Sequence, residues 1–406
     1  MVAVQKPESY IKPMSMHARA GQGLIGPEEA RGPIGLEEES RSRETVERAV
    51  ADLRRGSAVV ITGPTGQTAI LVRAAETIAG WPLPLFEDLN GPVSLVVTGR
   101  RAAILSLSDP AARAVQLNIA DHLTPERLRP LIDPLVDAGA DAGHIPPAGV
   151  TASVVADFSP AGAAIRLAKI ARLLPAVVMT PLGDDAIAWA KAQDRVIVGS
   201  SHIEQYDSRS ACALKPISEA RVPLAGAHDT RVVTFRPEDG GAEHIAIIVG
   251  QPDPSQPVLT RLHSECLTGD LLGSLRCDCG DQLRGAIAAM AKHGAGVLLY
   301  LAQEGRGIGL VNKLRAYGLQ DKGFDTLDAN EQLGFDDDER VYQPAVRILK
   351  ALGYAKVRLL TNNPAKVGAL VRHGVEVTER VPHSFPSNEH NWTYLQTKAK
   401  RSGHLL

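Results

Sequence analysis

Three of the chain's four cysteines, Cys266, Cys277 and Cys279, fall within a stretch of fourteen residues. Their C-x10-C-x-C spacing lets three thiolates face one ion, and soft sulfur ligands suit zinc. A structural zinc site takes four protein ligands. A catalytic one takes three and leaves a position for water, which then ionises near neutral pH and becomes a nucleophile. The fourth cysteine, Cys212, is distant in sequence, so an open site is the better reading; the alternative is that His263 closes it. Cys212 itself is expected to pack as a small buried hydrophobe.

A second constellation has the composition of a phosphate site. Gln303-Glu304-Gly305-Arg306-Gly307-Ile308-Gly309-Leu310 follows an apolar run and precedes a helical pattern. Glycines let backbone approach a ligand, a helix start favours anions, and Arg306 can fork onto phosphate. Asp336-Asp337-Asp338-Glu339 stands directly before Arg340. This is either a solvated acidic loop or a set of acids that works on an arginine in contact with phosphate. Thr361-Asn362-Asn363-Pro364-Ala365-Lys366 ends an apolar run at a helix start and suits a polyphosphate, or simply caps the helix.

The elements that must position these residues follow from periodicity. Val46, Ala49, Val50 and Leu53 predict a helix from about residue 42, and 57–62 a buried strand followed by the turn Gly63-Pro64-Thr65-Gly66. Strands are expected at 95–97 and 176–179, with a helix at 161–174. The pattern gives an α/β domain over 42–205, preceded by an extended Gly- and Pro-rich arm at 1–41. Residues 206–219 are expected to link it to a second mixed-sheet (α+β) domain over 220–406. Strands there are expected at 231–235, 243–249, 296–300 and 357–361, and helices at 281–293, 309–317 and 343–352.

The collinear blocks HSECLTGD, SLRCDCG, QEGRGIGL, NKLRAY, ANEQLGF, RLLTNNPAK and TKAKRSGHLL closely resemble the GTP cyclohydrolase II family, over about 217–406. The resemblance implies one zinc per chain on Cys266, Cys277 and Cys279. Arg261, Leu262, His263, Ser264, Glu265, Gln282, Glu304, Gly305, Arg306, Thr326, Thr361 and Lys366 would hold a nucleoside triphosphate accompanied by magnesium. Arg340 would attack the α-phosphate, releasing pyrophosphate and forming a phosphoramidate, with Asp338 as proton acceptor and Tyr317 reaching the base. Zinc-activated water would then open the ring, releasing C8 of guanine as formate. A homodimer is implied as well.

The N-terminal half resembles dihydroxybutanone-phosphate synthase through 44–55, 57–62 and 164–179. That enzyme needs acids after its first strand to hold magnesium. Gly63-Pro64-Thr65-Gly66-Gln67-Thr68 offers no carboxylate, and Thr180-Pro181 stands where a glutamate is expected, so synthase activity is expected to be absent. The same hexapeptide is no phosphate loop, since Gln67 occupies the place of the lysine. A branch of the family in uracil catabolism keeps the zinc and arginine motifs beside a divergent N-terminal domain. This chain fits that description too, which leaves a uridine nucleotide as an alternative substrate. A non-catalytic zinc-stabilised nucleotide sensor is a third reading, opposed by the presence of both Asp338 and Arg340.

A net charge of −2 gives no global field for nucleic acid. No signal peptide and no apolar run of membrane-spanning length is present, so the expected location is cytoplasmic.

Overall fold

The computed structural model describes residues 33–78, 86, 89, 91–119, 124–137, 149–238, 240–392, 396 and 401. Most of the expected arm, residues 1–32, lies outside them, as do Asp239 and all but Arg401 of the C-terminal TKAKRSGHLL block. Residues 39–406 form one unit containing two seven-stranded sheets.

The first sheet comprises β1 (Val59–Thr62), β2 (Ala69–Ala74), β3 (Ser94–Val97), β4 (Val115–Ile119), β5 (Val150–Val154), β6 (Ala176–Leu182) and β7 (Ile197–Gly199), ordered β5-β4-β3-β6-β2-β1-β7. Helices cover both of its faces. Helix α1 (Pro33–Arg54) presents the expected stripe of Val46, Ala49, Val50 and Leu53 to one face, joined by apolar residues of α5 (Pro160–Ile170) and α7 (Ser200–Cys212). The opposite face packs Ala102 of α2 (Gly99–Ile104), Leu128 of α3 (Pro125–Ile132) and Ala186 and Ala190 of α6 (Ala186–Ala192); one further turn, α4 (Pro134–Asp137), follows α3. Two local expectations are corrected. Residues 33–41 continue α1 rather than extending as an arm. The stretch read as a connector is α7 followed by β8 (Leu214–Arg221), which pairs antiparallel with β9 (Thr230–Pro237). Its helical face, Ser200, Ile203, Tyr206 and Ala211, is diluted by polar residues. Cys212 lies one position off that face and is exposed, not buried.

The second sheet runs β14-β13-β11-β12-β10-β9-β8. Its remaining strands are β10 (His244–Gly250), β11 (Val258–Ser264), β12 (Ala295–Leu301), β13 (Lys356–Leu360) and β14 (Glu376–Val381). Strands β8, β9, β10 and β12 are antiparallel neighbours, whereas β12, β11, β13 and β14 pair in parallel. On one face pack α11 (Gln343–Ala351) and α12 (Pro364–Arg372), and on the other α8 (Cys279–His293). Helices α9 (Leu310–Gln320) and α10 (Thr326–Gln332) build a separate cluster with Ile308 and Phe335 that also takes in Leu174 from the N-terminal lobe. The mixed α/β fold in two lobes is as expected from the sequence.

Candidate active site

The C-terminal ends of β11, β12 and β13 point the same way, and parallel strands leave a ligand crevice there. Strand β11 delivers Arg261, His263 and Ser264; the turn after β12 delivers Glu304, Gly305 and Arg306; Thr361 follows β13. All of these line one pocket, together with Glu265, Cys266, Cys277, Cys279, Gln282, Tyr317, Thr326, Arg340 and Lys366. Leu262 is the exception among the expected binding residues. Alternation along the strand turns its side chain into the core, and only its carbonyl serves the site, accepting from Lys366 Nζ at 2.7 Å.

The three sulfurs lie within 4.8 Å of one another, with Cys266 Sγ and Cys277 Sγ 3.7 Å apart. Tetrahedral coordination with Zn–S bonds of about 2.3 Å needs sulfurs about 3.8 Å apart, so the cluster fits zinc. The turn Leu267–Leu271 wraps it through Gly269, where an added Cβ would come within 2.7 Å of Cys277 Sγ and 3.0 Å of Cys266 Sγ. Asp270 holds the turn closed, accepting from Cys266 N at 3.0 Å, Tyr300 Oη at 3.0 Å and His263 Nε2 at 3.0 Å. That contact engages His263 with Asp270, and among the described residues only the three cysteines form a metal-competent group. Hydrogen bonds from Cys277 and Cys279, and the Lys313 ammonium at 3.1 Å, hold Cys266 as the thiolate. The same coupling to Cys266 pushes Cys277 up to about 11 and raises Cys279.

Lys313 was not singled out in the sequence. It is 8% exposed and bonds Cys266, Thr268 Oγ1 at 2.9 Å and Glu304 Oε1 at 2.9 Å. Burial works to lower its pKa, but Glu304 and the sulfur raise it, so it stays cationic. Its signal was available: Lys313 and Tyr317 stand four apart on α9 and therefore on one face. Asp270, Asp278, Arg276 and His383 were missed as well.

The loop after β12 needs its glycines. Gly305, Gly307 and Gly309 have φ of 64°, 100° and 86°, and Arg306 itself sits at 60°, a left-handed conformation that costs a non-glycine residue energy. Arg261 is 5% exposed, donates to Leu360 O at 2.8 Å and pairs with Gln282, which in turn pairs with Asp278. Burial brings its pKa down to about 10, still cationic at neutral pH. Arg261 Nε and His263 Nδ1 are buried without a hydrogen-bond partner among the described residues, a capacity that a bound ligand can satisfy.

Arg340 is gripped side-on by Asp338: Nε to Oδ1 at 2.7 Å and Nη2 to Oδ2 at 2.6 Å. Its Nη1 points to Ser264 Oγ at 3.5 Å. Burial works to raise the Asp338 pKa, but the hydrogen bonds to Arg340 hold it below the usual carboxylate range, so it is ionised. Tyr317 lies under two cations, with Arg276 Cζ 5.1 Å and Lys313 Nζ 5.7 Å from its ring centroid. The arrangement brings together three cysteine sulfurs, the cationic side chains of Arg261, Arg306 and Lys366, and an arginine paired with a carboxylate.

A GTP cyclohydrolase II family model matches residues 215–382. A GTP cyclohydrolase-2 from Azospirillum brasilense is 52% identical over 366 residues, covering 89% of this chain and 94% of its relative. Riboflavin biosynthesis protein RibBA from Synechocystis is 35% identical over 399 residues, covering 89% of this chain and 72% of that protein, so the match takes in the N-terminal sheet. Among solved structures, the two-domain 3,4-dihydroxy-2-butanone 4-phosphate synthase RibBX from A. baumannii aligns over 84% of this chain and 99% of that one, with 18% identity and a TM-score of 0.32.

Proposed function

Because the chain belongs to the GTP cyclohydrolase II family, we propose that it hydrolyses the guanine ring of GTP as a step in riboflavin biosynthesis, releasing formate and pyrophosphate. The observation that carries this reading is the meeting, in one pocket, of three thiols at zinc spacing with an arginine paired side-on to a carboxylate.

Cys266, Cys277 and Cys279 are the zinc ligands, and bound zinc supplies the acidified water that ring hydrolysis needs. Arg261, Arg306 and Lys366 grip the triphosphate, which carries magnesium as its counter-ion, and Tyr317 meets the base. Arg340 attacks the α-phosphate through a guanidinium nitrogen. A P–N bond forms, the bond to the bridging oxygen of the β-phosphate breaks, and pyrophosphate leaves. The proton of the attacking nitrogen passes to Asp338, which relieves the poor nucleophilicity of a protonated guanidinium. Water later cleaves the P–N bond and returns Arg340 to its starting state. The working species is a homodimer in the cytoplasm; no described helix is long and apolar enough to cross a membrane.

The uridine-nucleotide and sensor readings draw no support from the relatives. A divergent N-terminal lobe had favoured uridine, yet the Azospirillum protein aligns over nearly its whole length and carries the GTP cyclohydrolase-2 name. The test is to incubate the pure protein with GTP and, separately, with UTP. The expected result is a change in the purine band, with formate and pyrophosphate released in equal amounts, an unchanged uracil band, and no pyrophosphate from Arg340→Ala. Loss of the uracil band with GTP untouched would reject the guanine reading.

A further inference from the structure

Between Leu333 and Tyr342 the chain forms no helix or strand, yet this stretch carries Asp338 and Arg340. An irregular loop keeps one geometry only if its surroundings hold it. On the pocket side Glu339 N donates to Arg306 O at 3.1 Å, Arg306 Nη1 to Asp337 O at 3.2 Å, Arg340 Nη1 to Ser264 Oγ at 3.5 Å, and Gln303 Nε2 to Val341 O. On the other side stands the N-terminal lobe. Lys169, at the end of α5, reaches Glu339 Oε1 at 2.6 Å and Asp336 Oδ2 at 3.1 Å. Arg100, in the first turn of α2, reaches Asp336 Oδ1 at 2.7 Å and Glu331 Oε1 at 2.7 Å. Thr98 Oγ1, the N-cap of α2, donates to Gly334 O at 2.8 Å. The loop is also tied to itself, since Asp336 N donates to Glu339 Oε1 at 2.9 Å.

We propose that Lys169 and Arg100 are positioning residues: from the N-terminal lobe they grip Glu339, which lies between Asp338 and Arg340, and Asp336, two residues before Asp338, and so fix Arg340 toward the pocket. This gives a task to a lobe whose first-strand turn, Gly63 to Thr68, has no carboxylate for chemistry of its own. It rests on the reading of Arg340 given above. Magnitudes favour a geometric rather than a stabilising role. The pairs made by Asp336, which is half-exposed, contribute little to stability, whereas an ångström of misplacement at a reacting group can cost about a hundredfold in rate. The side chains of Lys169 and Glu339 are only 15% and 12% exposed, which suits a pair that holds one geometry.

The test uses the full chain loaded with zinc, with Lys169→Met, Arg100→Met and Lys169→Arg. GTP turnover and amide hydrogen exchange across 335–341 are measured on each. Each Met variant is expected to lose kcat by about tenfold or more. KM should stay within about twofold and zinc content should be unchanged, because the phosphate and metal ligands are untouched. Exchange across 335–341 should accelerate, and Lys169→Arg should recover most of the rate. Accelerated exchange with unchanged kcat, or lost kcat with unchanged exchange, overturns the proposal. A wild-type protein that turns over no GTP sinks the reading of the site instead; the exchange rates still decide whether the lobe grips the loop, so the two failures are told apart.

Discussion

Gly269 allows the metal reading to be tested without altering a ligand. Its Cα sits against the sulfurs so closely that a methyl group would come within 2.7 Å of Cys277 Sγ, inside any tolerable contact. Alanine at this position must push the sulfurs apart and spoil a set whose Cys266–Cys277 edge, 3.7 Å, suits tetrahedral coordination. The expected outcome is about one zinc ion per wild-type chain by elemental analysis, and a strong loss in Gly269→Ala although all three thiols remain titratable. Cys279→Ser should lose the ion as well. A Gly269→Ala protein with a full complement of zinc would mean that the metal does not sit among these sulfurs. At this scale the sequence was informative wherever a residue's chemistry is rare: three clustered cysteines, or an arginine after a run of acids. It was silent on Asp270 and His383, whose roles depend on which distant strand ends meet. His383 joins the pocket through Gln282 O at 2.9 Å, a contact across 101 positions.

Strand ends carry these residues, and the end of β12 is held by an unusual device. His244, the first residue of β10, accepts a hydrogen bond from Ala302 N at Nδ1, at 3.1 Å, just before the Gln303–Gly309 turn. That bond needs a neutral ring. Burial, helped by the nearby Arg172, lowers the His244 pKa from 6.5 to about 4. Between these two values the unfolded chain binds a proton that the folded one refuses. Stability from this group is therefore complete above pH 6.5 and lost as pH falls toward 4, by on the order of 3 kcal/mol in all. His383, lowered to about 4 by its own burial, acts in the same window. Melting temperature should drop from pH 7 to pH 4.5 in the wild type, and less steeply in His244→Gln, whose amide oxygen can still accept from Ala302 N. Equal slopes would show that the ring already charges in the fold. At this scale β10 and β12 are legible in the sequence but β11 is not, although Val258-Leu259-Thr260-Arg261-Leu262-His263-Ser264 is a seven-residue run with four apolar or β-branched members. Its polar residues Arg261, His263 and Ser264 break the apolar run that marks a buried strand. Strand β8 and helix α7 read as a connector because their apolar positions are few and their partners lie in different lobes.

The two lobes share more than a covalent link. Leu174 leaves the N-terminal lobe, is 1% exposed, and packs with Ile308, Ala316, Leu319, Ala329, Leu333 and Phe335 of the catalytic lobe. Its own amide is fixed by Glu76 Oε2 at 2.6 Å, and Glu76 also pairs with Arg315 of α9 at 3.2 Å. Nearby, Arg172 donates to Ala302 O at 2.8 Å and accepts from Asn312 Nδ2 at 3.0 Å through its carbonyl. These ties run through the strand-to-helix segment that bears Glu304 and Arg306, so the catalytic lobe borrows part of its core. A shared core predicts that the lobes unfold together. Calorimetry on the wild-type protein should give one endotherm whose calorimetric and van't Hoff enthalpies agree. Leu174→Ala removes a side chain from the shared cluster only, at a cost of roughly 2–5 kcal/mol. Because each lobe keeps its own sheet core, that loss should fall on their coupling, and the single endotherm should separate into two. Two transitions already present in the wild type, at midpoints that Leu174→Ala leaves in place, would show that the lobes are stable apart and that the catalytic lobe borrows nothing.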